Sequence, residues 1–271
     1  MPPDTREMMN MEDRILPFEP RRFRTAAAHY LVGRPAYAAS LIARVAQLTN
    51  LTQAHRVLDL GCGPGQLAQA FSPYAADITG LDPEPEMLRI AQQNAPPNVK
   101  ILEGSSYDLG PHLGSFHLVT IGRAFHWMDR ADTLRRLDRL IAPGGAIALF
   151  SDSHPDVPDN DWNKIFREIT DRYASGERFI RRGYGVAPTI SILLDSAFTA
   201  LETISVIERR PMTIGLLLER AFSRSTTSRE RLADRAAAFA AEITDAMTAL
   251  FPNGTFTEIV ATQALIATRA P

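Results

Sequence analysis

Val57-Leu58-Asp59-Leu60-Gly61-Cys62-Gly63-Pro64-Gly65 joins an acid to three glycines at alternate positions, and a helix-like stretch from Gln66 to Phe71 follows. A turn without side chains, set between a buried strand and a helix, lets a ligand lie on the backbone where a Cβ would otherwise stand. Asp59 adds a carboxylate facing the same crevice. A dinucleotide brings a pyrophosphate to the helix N-terminus, and its turn reads G-x-G-x-x-G. Here the third glycine comes one residue early, and Gln66 stands where that pattern wants glycine. An acid before G-x-G-x-G suits a ligand that carries positive charge. Taken alone, the turn is also compatible with an ordinary tight bend.

The next strand sharpens the reading. Asp77-Ile78-Thr79-Gly80-Leu81-Asp82 ends in an acid and leads through Pro83 into a helix from about Glu84 to Asn94. Asp82 comes about 20 residues past the glycine turn, the spacing at which an acid meets ribose hydroxyls in doubly wound folds. The two oxygens of one carboxylate can accept from hydroxyls on adjacent ribose carbons. A helix N-cap is the competing role for Asp82.

Other residues have chemistry to offer. His126 follows an apolar strand and titrates near neutrality, which makes it the candidate general base if an acceptor must lose a proton. Its alternative is a hydrogen bond that fixes the loop. Trp127 fits a packing role, and Asp129 fits the N-cap of a helix beginning at Arg130. Arg178, Arg181 and Arg182 form a basic turn, and with Arg123 and Arg224 they can read an anionic acceptor such as a carboxylic acid; solvated surface is the alternative. Cys62 is the single cysteine and is placed there for its small size. No His, Cys, Asp and Glu spacing suits a metal, so no metal dependence is expected. Gly-x-Ser-x-Gly and phosphate-loop signatures are missing, which argues against an esterase or a nucleotide triphosphatase.

These residues need a scaffold, and the chain supplies the pattern of one. Two helical segments, Arg21–Leu31 and Pro35–Leu48, come first; Ala38, Leu41, Ile42, Val45 and Leu48 share a face of the second. Strands are expected at 56–60, 78–81, 99–103, 116–121 and 146–150, alternating with helices at 66–71, 84–94 and 130–141. Alternation of this kind implies an α/β fold with a mostly parallel sheet covered on both faces. Asp59 to Gly65 and Asp82 then fall at the carboxyl ends of strands, where such sheets bind ligands. After Phe150 the rhythm breaks into a helix at 162–173, a strand near 201–209, a long helix at 229–250 and a final strand at 256–268 after the Asn253-Gly254 turn. The expected division is a flexible N-terminus at 1–19 and one domain at 20–271. That domain holds N-terminal helices at 20–50, a core at 51–152 and 199–271, and a cap inserted at 153–198.

Composition excludes several classes. The 271 residues are 45% hydrophobic and 22% charged, ordinary for a globular protein able to bury a core. A net charge of -2 gives no electrostatic reason to expect nucleic acid or an anionic membrane as partner. Lone Cys62 fits a reducing compartment, so a cytoplasmic protein is expected. There is no apolar run of the roughly 18 residues a spanning helix needs, and Met1–Arg14 lacks a signal-like core.

The Asp59-to-Gly65 turn with Asp82 resembles the cofactor half of class I S-adenosylmethionine-dependent methyltransferases, and the resemblance runs from residue 55 to 150. The subgroup it resembles most is the small-molecule "type 11" branch, similar to ubiquinone-biosynthesis and trans-aconitate methyltransferases. Tyr30-x-x-x-Arg34-Pro35-x-Tyr37, the run Ala124-Phe125-His126-Trp127-Met128-Asp129 and the segment Phe222-Ser223-Arg224-Ser225 resemble local patterns of that branch. The resemblance implies a Rossmann-like sheet of seven strands in the order 3-2-1-4-5-7-6, the seventh antiparallel. It also implies S-adenosyl-L-methionine as cofactor, S-adenosyl-L-homocysteine as product, no metal, and a small-molecule acceptor in a monomer or homodimer.

On that resemblance, Tyr30, Arg34, Asp59, Gly61, Cys62, Gly63, Gly65, Gln66, Asp82, Pro83, Met87, Ser105, Ser106, Tyr107, Arg123 and Phe125 are the expected cofactor residues. Tyr30 and Arg34 would close over the methionine carboxylate. Ser105 stands where many relatives carry an acid for the adenine amino group, so the adenine contact is neutral here. Tyr37, His126, Trp127, Arg181 and Arg224 are expected to face the acceptor. Two other classes remain: a non-catalytic module that binds S-adenosylmethionine, and an NAD(P)-dependent oxidoreductase, which the early third glycine and Asp59 disfavour.

Overall fold

The computed structural model describes residues 27–174 and 186–270. The expected flexible segment at 1–19, the start of the first helix, and Arg178, Arg181 and Arg182 lie outside the described residues. Two helices open the described chain, α1 (Ala27–Gly33) and α2 (Ala39–Leu48). Leu41, Ile42, Val45 and Ala46 form the buried face of α2, and each large apolar side chain among them contributes about 2 kcal/mol by leaving water. The helix stops at Thr49, whose hydroxyl turns back to the Val45 carbonyl at 2.8 Å, and Asn50 takes a positive φ of 50°, a conformation asparagine tolerates better than most residues.

Seven strands follow in a sheet ordered β3-β2-β1-β4-β5-β7-β6. They are β1 (Arg56–Leu60), β2 (Asp77–Asp82), β3 (Val99–Glu103), β4 (Phe116–Gly122), β5 (Ile141–Ser153), β6 (Ala200–Thr213) and β7 (Thr255–Thr268). The first five pair in parallel, and β7 runs antiparallel to both β5 and β6. The expected α/β architecture and strand order are therefore those of the structure. Helices α3 (Gln66–Phe71), α4 (Pro85–Gln93) and α5 (Arg130–Leu140) make the crossovers. One face of the sheet buries Val57, Ile78 and Leu118 under α2 and α3, and the other buries Leu58, Leu60 and Val119 under α5. No helix among the described residues is long and apolar enough to cross a membrane.

The second half departs from the expected bounds. β5 begins at Ile141, which pairs with Phe116; the ladder then shifts and resumes at Leu118 opposite Ala146. Pro143-Gly144-Gly145 thus lies inside the strand, at the irregularity in its ladder. The long helix expected at 229–250 is broken: a turn at Arg229–Leu232 is separated from α9 (Ala236–Leu250) by Ala233, whose φ is 46°. Three further helices complete the fold, α6 (Trp162–Tyr173), α7 (Val186–Leu194) and α8 (Ile214–Phe222). Trp162, Phe166 and Ile169 of α6 pack with Leu217 and Phe222 of α8 and with Phe239 and Ile243 of α9 in a third core beside the sheet.

Candidate active site

The glycine turn is built as its sequence requires. Gly61, Gly63 and Gly65 have φ values of 69°, 53° and 85°, in the left-handed region that side chains disfavour. A Cβ on Gly61 would lie 2.6 Å from the Ala124 Cβ, because the turn after β1 presses against the loop after β4. A Cβ on Gly63 would meet nothing within 4 Å, so the turn is bare on its open side. Around it runs a cleft lined by Tyr30, Tyr37, Asp59, Gly61, Cys62, Gly63, Pro64, Gln66, Leu67, Gly122 and Arg123.

Asp59 is buried at the floor. Its Oδ1 accepts from the Thr120 hydroxyl at 2.9 Å and its Oδ2 from the Ala68 amide at 3.0 Å. Burial pushes its carboxyl up to about 7, against the lowering effect of those two hydrogen bonds. Asp82 accepts from the Gly63 amide at 2.8 Å and from the Glu84 amide at 2.9 Å. Burial raises this carboxyl to about 6. Among the described residues no cationic side chain perturbs either acid, and Asp82 adds to the cost of ionising Asp59. Two desolvated carboxylates without a protein cation attract a cationic ligand and repel a pyrophosphate. Cys62 is buried between them, and burial together with Asp59 and Asp82 drives its thiol upward. It is an inert small residue, as its position implies.

The opposite wall is the strap between α1 and α2. Three guanidinium groups hold its carbonyls: Arg220 Nε on Gly33 at 3.1 Å, Arg123 Nη2 on Pro35 at 2.7 Å, and Arg210 Nη1 on Ala36 at 2.8 Å. Arg123 also donates to Asp152 and, at 3.3 Å, to Gln66, and lies 4.5 Å over the Tyr37 ring. Tyr37 Oη is buried and has no hydrogen-bond partner.

Several expected residues stand elsewhere. The Ser105 hydroxyl donates to Asp108 at 2.8 Å and accepts from the Tyr107 amide, capping the short turn Ser106–Asp108. That side chain is committed to the turn, not to adenine. Tyr107 is 54% exposed, and Phe125 is packed in the core with Leu58, Leu60 and Leu81. Ser106 and Met87 are buried, and Pro83 continues the chain from Asp82 into α4. His126 and Trp127 share a short turn after β4 with their rings 4.7 Å apart, and neither is among the residues that line the cleft. Asp129 caps α5 through the Asp132 amide at 2.9 Å. Arg123, expected to read cofactor or acceptor, is spent on Asp152 and the strap. Arg224 lies 5.1 Å over Phe166, beside the third core.

Thr120 and Asp152, which hold Asp59 and Arg123 in place, were missed in the sequence. Thr120 leaves a signal, a hydroxyl in the otherwise apolar strand Phe116–Ile121 and directly opposite Asp59 in the sheet register. Asp152 leaves none, because its partner lies on another loop.

The strand order, the Cβ-free turn and the two acids at adjoining strand ends define the class I methyltransferase fold. Residues 57–145 match the model of the methyltransferase domain family. It is 32% identical over 127 residues to an uncharacterized methyltransferase of Mycobacterium tuberculosis, covering 47% of this chain and 50% of that protein. With trans-aconitate 2-methyltransferase of Delftia acidovorans it shares 35% identity over 138 residues, 49% of this chain and 48% of the relative. The chain thus spans about half the length of the curated relatives it matches.

Among solved structures, a candidate type II methyltransferase of Anaeromyxobacter dehalogenans superposes with a TM-score of 0.64 at 22% identity, covering 87% of this chain and 97% of that one. A methyltransferase of Thiobacillus denitrificans, solved with S-adenosyl-L-homocysteine, gives 0.54 at 14% identity over 93% and 99%. These likenesses concern the fold.

The cleft suits S-adenosylmethionine on its own terms. It has open backbone at Gly63, an unmatched phenol at Tyr37 and two buried acids that no cation among the described residues perturbs.

Proposed function

We propose that the protein transfers a methyl group from S-adenosylmethionine to a small-molecule acceptor, a carboxylic acid or other anionic metabolite. The observation that carries the reading is the pairing of buried Asp59 and Asp82 around a turn without side chains. When bound, the cofactor supplies a methyl carbon activated by a sulfonium. Asp82 uses its free lone pairs to take the ribose hydroxyls, while its existing bonds to Gly63 and Glu84 keep it aimed. Asp59, steadied by Thr120, supplies negative potential for the methionine ammonium. Tyr37 Oη donates to the methionine carboxylate, with Tyr30 closing the same wall.

Methyl transfer is an in-line displacement, so the protein's task is alignment, worth roughly 7 kcal/mol or more when two reactants are well held. For acceptors that must lose a proton, the base is His126, at the carboxyl end of β4. An acidic acceptor is supported by the Delftia relative, whose name specifies trans-aconitate. The test is transfer of labelled methyl from S-adenosylmethionine to small acids. Label in an acid, lost on Asp82→Ala, supports the reading; no binding of S-adenosylhomocysteine by folded protein contradicts it.

A further inference from the structure

Beside the cleft, at the carboxyl end of β5, positive charge exceeds negative. Two acids sit there, and each already has its guanidinium. Asp152 takes Arg123, and Glu258 takes Arg220 through a fork of 2.6 and 2.9 Å. His154 Nε2 adds a third contact to Glu258 at 3.0 Å. Arg34 and Arg224 are left over.

Arg34 Nε is buried and has no hydrogen-bond partner. The Arg34 guanidinium lies 5.5 Å from the Tyr30 ring, and Tyr30 lines the cleft. Arg224 rests over Phe166, and among the described residues no acceptor meets its guanidinium. Burial pulls the Arg224 pKa down to about 9, with Arg34, Arg220 and Arg167 adding repulsion and Asp152 opposing them. Asp152 is held below the usual carboxylate range against its own burial, by Arg123 first and Arg34 next.

Arg224 is half-buried, and a guanidinium packed over an apolar ring beside the unpartnered Arg34 Nε is open to an anion. The planar fork of a guanidinium matches a carboxylate, and stacking on Phe166 fixes its plane. Asp152 links this charge to the cleft, since its partner Arg123 is one of the cleft residues.

We infer that Arg224, flanked by Arg34, is the residue that grips a carboxylate of the methyl acceptor. The inference rests on the methyl-transfer reading of the cleft and adds the group that selects the acceptor. That carboxylate is a handle: it orients the acceptor toward the strand ends, and a neutral analogue leaves Arg224 unpaired. Discrimination of this kind against an analogue lacking the charge is large, because the unmatched group belongs to the protein.

The test uses the whole chain and tritiated methyl S-adenosylmethionine with a panel of mono-, di- and tricarboxylic acids, each beside its primary amide. S-adenosylhomocysteine is titrated in parallel. Label is expected to enter acids and to spare the amides. Arg224→Met is expected to raise the KM of a labelled acid by about 10-fold or more, with S-adenosylhomocysteine affinity held within about 2-fold. Arg224→Lys keeps the charge without the fork and is expected to fall between, and it replaces Arg224→Met if that variant does not fold. The inference is overturned by equal labelling of acids and amides, by an unchanged KM in the variant, or by protein that binds S-adenosylhomocysteine yet labels no acid. Protein that fails to bind S-adenosylhomocysteine overturns the methyl-transfer reading itself.

Discussion

The backbone amide of Gly63 donates to Asp82 Oδ2 at 2.8 Å, so the turn after β1 and the acid that ends β2 form one hydrogen-bonded unit. The same carboxylate holds the Glu84 amide at the entrance to α4. Turn geometry and, on the proposed reading, sugar recognition therefore depend on a single side chain. Asp82→Ala is expected to cost at least tenfold in S-adenosylhomocysteine affinity, about 1.4 kcal/mol. Asp82→Asn, which keeps an acceptor for one amide, is expected to lose less. Calorimetric titration of both variants checks the order; equal losses would contradict the shared role.

Gly63→Ala separates folding from binding. The new methyl meets no protein atom within 4 Å, but the residue must hold φ at 53°, a strain of about 1–2 kcal/mol. A modest fall in Tm is expected together with loss of cofactor binding, because the methyl enters the space the ligand needs. Retained affinity with the lower Tm would place the ligand elsewhere.

Asp59 gives a pH signature. Its carboxyl stands at about 7 in the folded protein, against 3.8 ordinarily, with burial the main cause. Folded protein therefore holds a proton that the unfolded chain has released between those values. The stability contributed by this group is greatest at low pH, declines as pH climbs from about 4 to about 7, and levels off above. Asp59→Asn can keep the Thr120 and Ala68 contacts without the charge. The variant is expected to melt above the parent at pH 8, by a few degrees, with the gap closing toward pH 4. Its affinity for S-adenosylmethionine is expected to fall, and parental affinity should rise from pH 6 to pH 8. Thermal melts and titrations across that range check both signs.

Arg123 ties the strap to the sheet. Arg123→Met removes the bonds to Pro35, Gln66 and Asp152 and leaves Asp152 with its burial cost, a loss of roughly 3 kcal/mol. Adding Asp152→Asn should recover part of that stability, since the uncompensated charge goes. Cofactor affinity should stay weakened in both, because the strap has lost its anchor. A double-mutant cycle in urea, with titrations alongside, measures the two effects separately.

Local signals made half of this molecule legible. The strand over Arg56–Leu60, the turn that follows and the helix over Gln66–Phe71 fall where glycine spacing and apolar runs place them. The strand over Val99–Glu103 does too. Where chemistry and conformation are local, residue type is informative.

The rest depends on distant partners. Ile214–Phe222 was not foreseen as a helix, because Leu216-Leu217-Leu218 is a continuous apolar run without helical period and Gly215 precedes it. The break at Ala233 carries no glycine or proline to announce it. Ser105 is expected at the adenine on the resemblance, whereas Asp108, three residues on, draws its hydroxyl into a cap. Arg123 and Asp152 lie 29 positions apart, and Arg220 and Glu258 lie 38 apart; only the sheet order brings these charges to the same end of β5. Which arginines are spent and which remain free is a property of the fold, invisible along the chain.

The central claim is that two buried acids and a bare glycine turn hold the cationic nucleoside S-adenosylmethionine. Isothermal titration of folded protein with S-adenosylmethionine, S-adenosylhomocysteine and NADH at pH 8 tests it most directly. Saturable heat at micromolar concentration is predicted for the first two ligands, lost in Asp82→Ala, with none for NADH. Binding of NADH alone, or no heat from either sulfur nucleoside, would contradict the account.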